Sequence, residues 1–278
     1  MGQIAFWSPQ SGQTATSSNM IATAIMISLE YVMKTVLSHT AWKGSMIDET
    51  LLKERPTFVN DVVYSNVGID ALERLARSNQ LSAKVVKDYV DTILPGRLEL
   101  LRGTAKPTEA LYSTIQDAVK SIYEAASGYY NVTMIDCGSG VNDAIAKSVV
   151  QNADMTVVNL NQNLAVLKAF FNGAYNEFLG DKSKLIVLGQ YDPNSKYTIN
   201  NIRRMFKTKQ PIYAVPRCAG YMDSINDRQV VEFFLRNKNV NSSHENYFFM
   251  TEVRRLAKGI LEASGIDSML YSDREQGA

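Results

Sequence analysis

The sequence predicts an α/β fold, a mostly parallel twisted sheet of about seven strands flanked by helices on both faces. Three observations predict it. Short apolar runs alternate with segments of helical spacing along the whole chain. The first run leads through a turn of small and polar residues into a long apolar stretch, giving the order strand, loop, helix. No composition shift, linker or internal repeat divides the 278 residues, so the chain reads as one domain, 1–278, with a closing helix and polar tail over 245–278.

The first strand is expected at 3–7, where Ile4, Ala5, Phe6 and Trp7 form a run suited to a sheet centre. Pro9 to Gln13 break it, and Thr14 to Asn19 bring hydroxyls and amides to a helix start. Residues 20–33 are apolar except for Glu30 and too short to span a bilayer, so they read as a buried helix. Further strands are expected at 35–39, 98–101, 132–135, 155–160, 185–188 and 212–215. Helices are expected at 69–79, 82–93, 108–126, 164–179, 198–206, 227–236 and near 245–263. Ligands of such sheets bind at the carboxyl ends of the strands, which makes the residues after each strand the first candidates for a site.

After the first strand, the segment 4–19 is laid out like a phosphate-binding loop without its lysines. Such a loop needs a strand, a glycine-rich turn, a Lys, a Ser/Thr for Mg²⁺ and a helix. A Gly/Ser/Thr-rich turn between a strand and a helix is also ordinary in α/β proteins, so the segment alone leaves both readings open. After residues 132–135 come Asp136, Cys137, Gly138, Ser139 and Gly140. An apolar run ending in Asp and small residues has the form of a Walker B segment, whose carboxylate holds Mg²⁺. Asp136 serves equally well as the cap of a following helix.

Matched backwards from Asn19, the first loop resembles the deviant Walker A motif of the ParA/MinD family, K-G-G-x-G-K-T-[TS] with a later Asn. In that match Ser8 stands at the signature lysine, Gly12 is kept, Gln13 replaces the P-loop lysine, and Thr14 keeps the Mg²⁺-ligand hydroxyl. Further pieces fall in the family's order. The segment 136–140 resembles its D-x-[PG]-x-[GS] element, ADMTVVNL at 153–160 its "AD-apolar run", and 98–103 the strand before its long central helix. LIVLGQYDP at 185–193 is similar to the segment that supplies a base-contacting polar residue, here Gln190 or Asp192. QPIYAVPRCAGYMD at 210–223 is similar to the stretch bordering the adenine, with Pro216 and Arg217 in the bordering positions.

The resemblance implies a P-loop NTPase fold, a homodimer, and ATP with Mg²⁺ as ligand. Ser11, Gly12, Gln13, Thr14 and Ala15 would line the phosphates, with Thr14 and Asp136 at the metal. Within the family the chain looks most like TadZ/CpaE-type proteins, which localise Flp (Tad) pilus or type IV secretion assemblies. A secretion or pilus ATPase is then the expected partner, and plain ParA or MinD, an active ATPase of partition or division, is the competing subfamily.

The missing parts bear on the chemistry. Phosphoryl transfer rests on positioning and on neutralising charge, so loss of the P-loop lysine removes a charge where it matters most. Serine at position 8 cannot reach a partner subunit's nucleotide as the family's lysine does. Relatives carry paired aspartates after the second strand, where this chain reads His39-Thr40-Ala41-Trp42, and Asp48 and Glu49 could substitute only if the loop folds back. Weak or absent ATP binding and little or no hydrolysis are the expectation.

Composition narrows the remaining classes. The chain is 45% hydrophobic and 21% charged with net charge +1, which gives no bulk electrostatic reason for nucleic acid or an anionic membrane. Cys137 and Cys218 are too few for a disulfide framework, and no basic n-region precedes an apolar core, so a cytoplasmic protein, recruited to the membrane's inner face or a pole, is expected. His39 and His244 do not form a metal site by spacing, and neither G-x-S-x-G nor H-E-x-x-H occurs. Arg203, Arg204, Lys207 and Lys209 lie at a helix end, where the dipole favours cations.

Overall fold

The computed structural model describes residues 2–42, 44–52 and 66–269. Eight strands form one sheet: β1 Gly2–Ser8, β2 Thr35–His39, β3 Asp91–Leu94, β4 Leu98–Leu100, β5 Val132–Ser139, β6 Met155–Leu160, β7 Ser183–Tyr191 and β8 Ile212–Pro216. Their order is β3-β4-β2-β5-β1-β6-β7-β8, with every pair parallel except β3 and β4. Apolar residues alternate along β1 to feed two cores. Ile4 and Phe6 join the helices Thr16–Glu30, Val230–Asn237 and Tyr247–Ala263, while Ala5 and Trp7 face Gln116–Ser127 and Ala144–Asn152 on the other side. The sheet is therefore covered on both faces, as its near-continuous Val/Ile/Leu/Met strands require.

β1 lies between β5 and β6, and the chain crosses from one side of it to the other between those two strands. In open α/β sheets such a reversal marks the ligand crevice, which places the loop after Ser8 at that position.

Four expected helices are redrawn by local chemistry. The segment 82–93 holds a short helix, Ala83–Val86, then a 3-10 turn, Lys87–Tyr89, and then β3. Pro95 and Gly96, the latter at φ +69°, turn β3 back onto β4, with Arg97 N–H bonded to the Leu94 carbonyl at 3.0 Å. This hairpin supplies the eighth strand. The expected helix 108–126 is divided into Glu109–Ser113 and Gln116–Ser127, and 164–179 breaks at Gly173 into Leu164–Phe171 and Asn176–Leu179. The helix expected at 20–33 starts earlier and stops at Glu30, because Tyr31 is extended. The closing helix occupies Tyr247–Ala263, and the polar tail at 272–278 lies outside the described residues. Among the described residues no helix is long and apolar enough to cross a membrane.

Candidate functional site

The loop after β1 is built around two left-handed residues. Gly12 has φ +72° and Ala15 has φ +55°, ψ +37°, and the helix starts immediately afterwards at Thr16. For alanine this conformation costs about 1–2 kcal/mol, so the fold holds strain at this helix entrance. Ala15 is the N-cap and supplies no side-chain acceptor, and no acidic residue occupies the first turn. The positive end of the helix is thus left for an anion. Gln10, Ser11, Gly12 and Gln13 are exposed, while Thr14 is buried.

Asp136, within β5, is met by Ser17 and not by Thr14. The Ser17 hydroxyl donates to Asp136 Oδ2 in a very short contact, and Gly138 N–H donates to Oδ1 at 2.8 Å. The Thr14 hydroxyl instead pairs with that of Thr16 at 3.0 Å, and the Ser8 hydroxyl donates to the Gln10 carbonyl at 2.8 Å. Mg²⁺ in nucleotide sites takes one or two protein oxygens and completes its octahedron with phosphates and waters. Ser17 and Asp136 fit that pattern. Among the described residues no group of three or more His, Cys, Asp or Glu side chains stands ready to hold a metal alone.

Burial pushes the Asp136 carboxyl above its ordinary range, against the opposing pull of Ser17, Gly138 and His39. A carboxyl whose folded pKa is raised contributes stability in full below its unfolded pKa and loses it as pH rises through the folded value. Asp136→Asn, which keeps shape without charge, is therefore expected to raise the melting temperature at neutral pH by a few degrees, at about 2–4 °C per kcal/mol. The gain should vanish below about pH 4. Thermal melts of both proteins across that range check the sign.

Two buried asparagines pin the loop from below. Asn19 donates to the Thr14 carbonyl at 3.0 Å and to Asn159 Oδ1 at 2.9 Å, and Asn159 lies within β6. From the side, β7 approaches so closely that a Cβ on Gly189 would sit 2.0 Å from the Thr14 carbonyl oxygen. This contact joins the loop to the ends of β7 and β8, where the remaining expected residues gather. Gln190 is exposed at φ +50°, and Pro216 is the register partner of Tyr191. Arg217 is exposed and donates its N–H to the Tyr191 carbonyl at 3.4 Å. The Asp192 carboxylate accepts from Asn194 N–H at 2.8 Å, and its backbone is clasped by Gln162.

On the other side of β5 the loop after β2 does fold back. Asp48 lies in the short helix Met46–Leu51, and its Oδ2 is 3.0 Å from His39 Nε2. His39 is the register partner of Asp136. Gly103 makes room for the imidazole, since a Cβ there would lie 2.1 Å from the ring, and its N–H points at Nε2 at 3.2 Å. Asp48 is thus engaged with a buried ring, and its other oxygen is buried without a hydrogen bond.

Solved structures share this fold, and three of them illustrate it. A ParA family ATPase from Chlorobium tepidum TLS superposes with a TM-score of 0.71 at 16% identity, covering 92% of this chain and 98% of that one. The fold is ParA/MinD-like. The septum site-determining protein MinD of Pyrococcus horikoshii OT3, complexed with Mg-ADP, gives a TM-score of 0.67 at 12% identity over 95% of this chain and 98% of its own. A variant of McdA from Cyanothece in complex with ATP gives 0.63 at 13% identity over 97% and 98%. No protein-family model and no curated protein matches the sequence.

Ser17, Asn159 and Gly189 belong to the candidate site by geometry, and reading the sequence missed them. Only Ser17 left a signal, one hydroxyl in the run Thr16-Ser17-Ser18 that the match from Asn19 passed over. Asn159 and Gly189 become visible through contacts with Asn19 and Thr14, far away in the sequence, which no local pattern encodes.

Proposed function

We propose that this chain is a ParA/MinD-like localisation or scaffold protein that holds Mg²⁺-ATP through backbone amides and turns it over slowly or not at all. The observation that carries it is the loop itself, a strained left-handed entrance to an uncapped helix facing a buried Asp, with no lysine or arginine from residue 8 to residue 19. In a Gly-x-x-x-x-Gly-Lys-[Ser/Thr] loop the hydroxyl residue faces the metal and its Asp. If Ser17 has that role, Ala15 fills the second glycine's place with a glycine-like φ, Thr16 stands at the lysine and Gln10 at the first glycine. The family's signature lysine then falls on Ser11. Both this register and the one through Gln13 and Thr14 leave the loop without a cation.

In this reading the amides of Ser11, Gly12, Gln13, Thr14 and Ala15 cradle phosphate, and Ser17 and Asp136 hold Mg²⁺. Gln190, Asp192, Pro216 and Arg217 border the base. Bound Mg²⁺-ATP would supply charge and shape at the crevice. Neutral hydrogen bonds are about half as strong as charged ones, so affinity is modest. Hydrolysis is disfavoured because Asp48, the carboxylate that the segment after β2 brings back, is spent on His39. A homodimer that recruits a secretion or pilus ATPase, cytoplasmic and brought to the membrane's inner face or a pole, is the role consistent with a ligand that is held more than consumed. Asp48 also motivates the second reading, an active partition or division ATPase in which that carboxylate orients water.

Titration calorimetry with Mg²⁺-ATP, paired with a phosphate-release assay, tests the choice. Saturable binding without phosphate release above the buffer blank is expected. Robust Mg²⁺-dependent turnover that Asp48→Asn abolishes would establish the second reading instead.

A further inference from the structure

The loops that follow β2 and β5 converge on a single atom, the phenol oxygen of Tyr112. Tyr112 belongs to the short helix Glu109–Ser113. Its oxygen lies 2.8 Å from the Thr40 carbonyl, in the loop after β2, and 2.9 Å from Asp143 Oδ2, in the loop after β5. One phenolic proton thus faces two acceptors. Neither is loosely held. Thr40 N–H donates to the Asp136 carbonyl at 2.9 Å, and Asp143 Oδ1 caps the helix Ala144–Asn152 through Ile145 N–H at 2.8 Å and Ala146 N–H at 3.1 Å. Trp42 completes the arrangement by stacking on the Tyr112 ring with centroids 5.7 Å apart, while its Nε1–H donates to the Lys106 carbonyl at 2.9 Å. Lys106 is anchored in turn by an ion pair with the buried Glu73.

We infer that Tyr112 is a clasp that fastens the loop after β2 to the loop after β5, so that the two form one fixed rim beside the crevice. Burial and the neighbouring Asp143 carboxylate both push the phenol pKa upward, which keeps the proton on the oxygen across the physiological range. The ring carries the stack on Trp42 and the hydroxyl carries the tie between loops, and the two roles are separable by substitution. The inference does not require that the phosphate loop take a ligand.

Tyr112→Phe keeps the stack and removes the tie. In the full chain without nucleotide, hydrogen exchange followed by mass spectrometry should show amides of both 40–42 and 138–143 exchanging several-fold faster, with 155–160 in β6 unchanged. The chain has two tryptophans and Trp7 is 0% exposed, so acrylamide quenching of the intrinsic emission reports Trp42. Quenching should rise about twofold in Tyr112→Ala and much less in Tyr112→Phe, since only alanine removes the stack. Faster exchange in one loop alone, or in neither, would overturn the clasp and leave Tyr112 as a packing residue. If Tyr112→Phe also loosens β6, the decision passes to Asp143→Asn, which keeps an oxygen for the helix cap and weakens the acceptor. The same pattern in both loops is then required, and its absence refutes the inference.

Discussion

Gly189→Ala is expected to lower the melting temperature by roughly 5–10 °C and to loosen the loop between β1 and its helix. The added Cβ would stand 2.0 Å from the Thr14 carbonyl oxygen and 2.9 Å from the Thr14 carbonyl carbon, with Asn19 Nδ2 at 2.8 Å. Two of those three atoms are backbone, so no rotamer change relieves the contact. Overpacking of this kind costs about 1–3 kcal/mol, and backbone on both sides places this case at the upper end. At roughly 2–4 °C per kcal/mol the melting shift follows. The least costly relaxation moves Thr14 away from β7, which lengthens its bond to Asn19 and disturbs the turn ending at Ala15. Calorimetric melts and hydrogen exchange over residues 10–18 together check both consequences. An unchanged melting temperature would mean that the loop does not rest on β7 as described.

That contact also shows where sequence reading stops. The buried strands were legible because a parallel sheet covered on both faces demands apolar runs, and β1, β7 and β8 have long ones, while β2, β5 and β6 carry shorter ones, among them Val36-Leu37 and Met134-Ile135. β3 was not legible as a strand. Its residues are partly buried or exposed on the sheet edge, so periodicity is weak. At the site, Asp136 and the small residues after it stood out as a segment. The pairing of Ser17 with Asp136 did not, since a run of hydroxyls looks alike in any register and the φ of Ala15 is invisible in a letter. Asn19 served as the anchor for a motif match, whereas in the fold it is a strut, bonded to Asn159 and to the loop it supports. Folding back of Asp48 onto His39 depended equally on tertiary placement, as no local signal brings a residue nine positions away to a buried imidazole.

Restoring a lysine should discriminate the two registers and yield the largest change in ligand affinity. Thr16→Lys is expected to tighten Mg²⁺-ATP binding by about 10- to 100-fold, because a charge-assisted bond adds roughly 1.5–3 kcal/mol and each 1.4 kcal/mol is tenfold. Gln13→Lys, on the exposed part of the loop, should change it far less. The lysine at position 16 carries a built-in control. A cation at the first turn opposes the helix dipole and should lower the ligand-free stability by about 0.3–1 kcal/mol, a loss that bound triphosphate reverses. Melting curves with and without Mg²⁺-ATP would therefore cross for Thr16→Lys relative to the parent chain, and would stay parallel if the lysine merely points into solvent. Tighter binding by Gln13→Lys alone would assign the hydroxyl of Thr14, in place of Ser17, to the metal. Failure of both variants would mean that the strained turn at Ala15 and the uncapped helix behind it hold something other than a triphosphate.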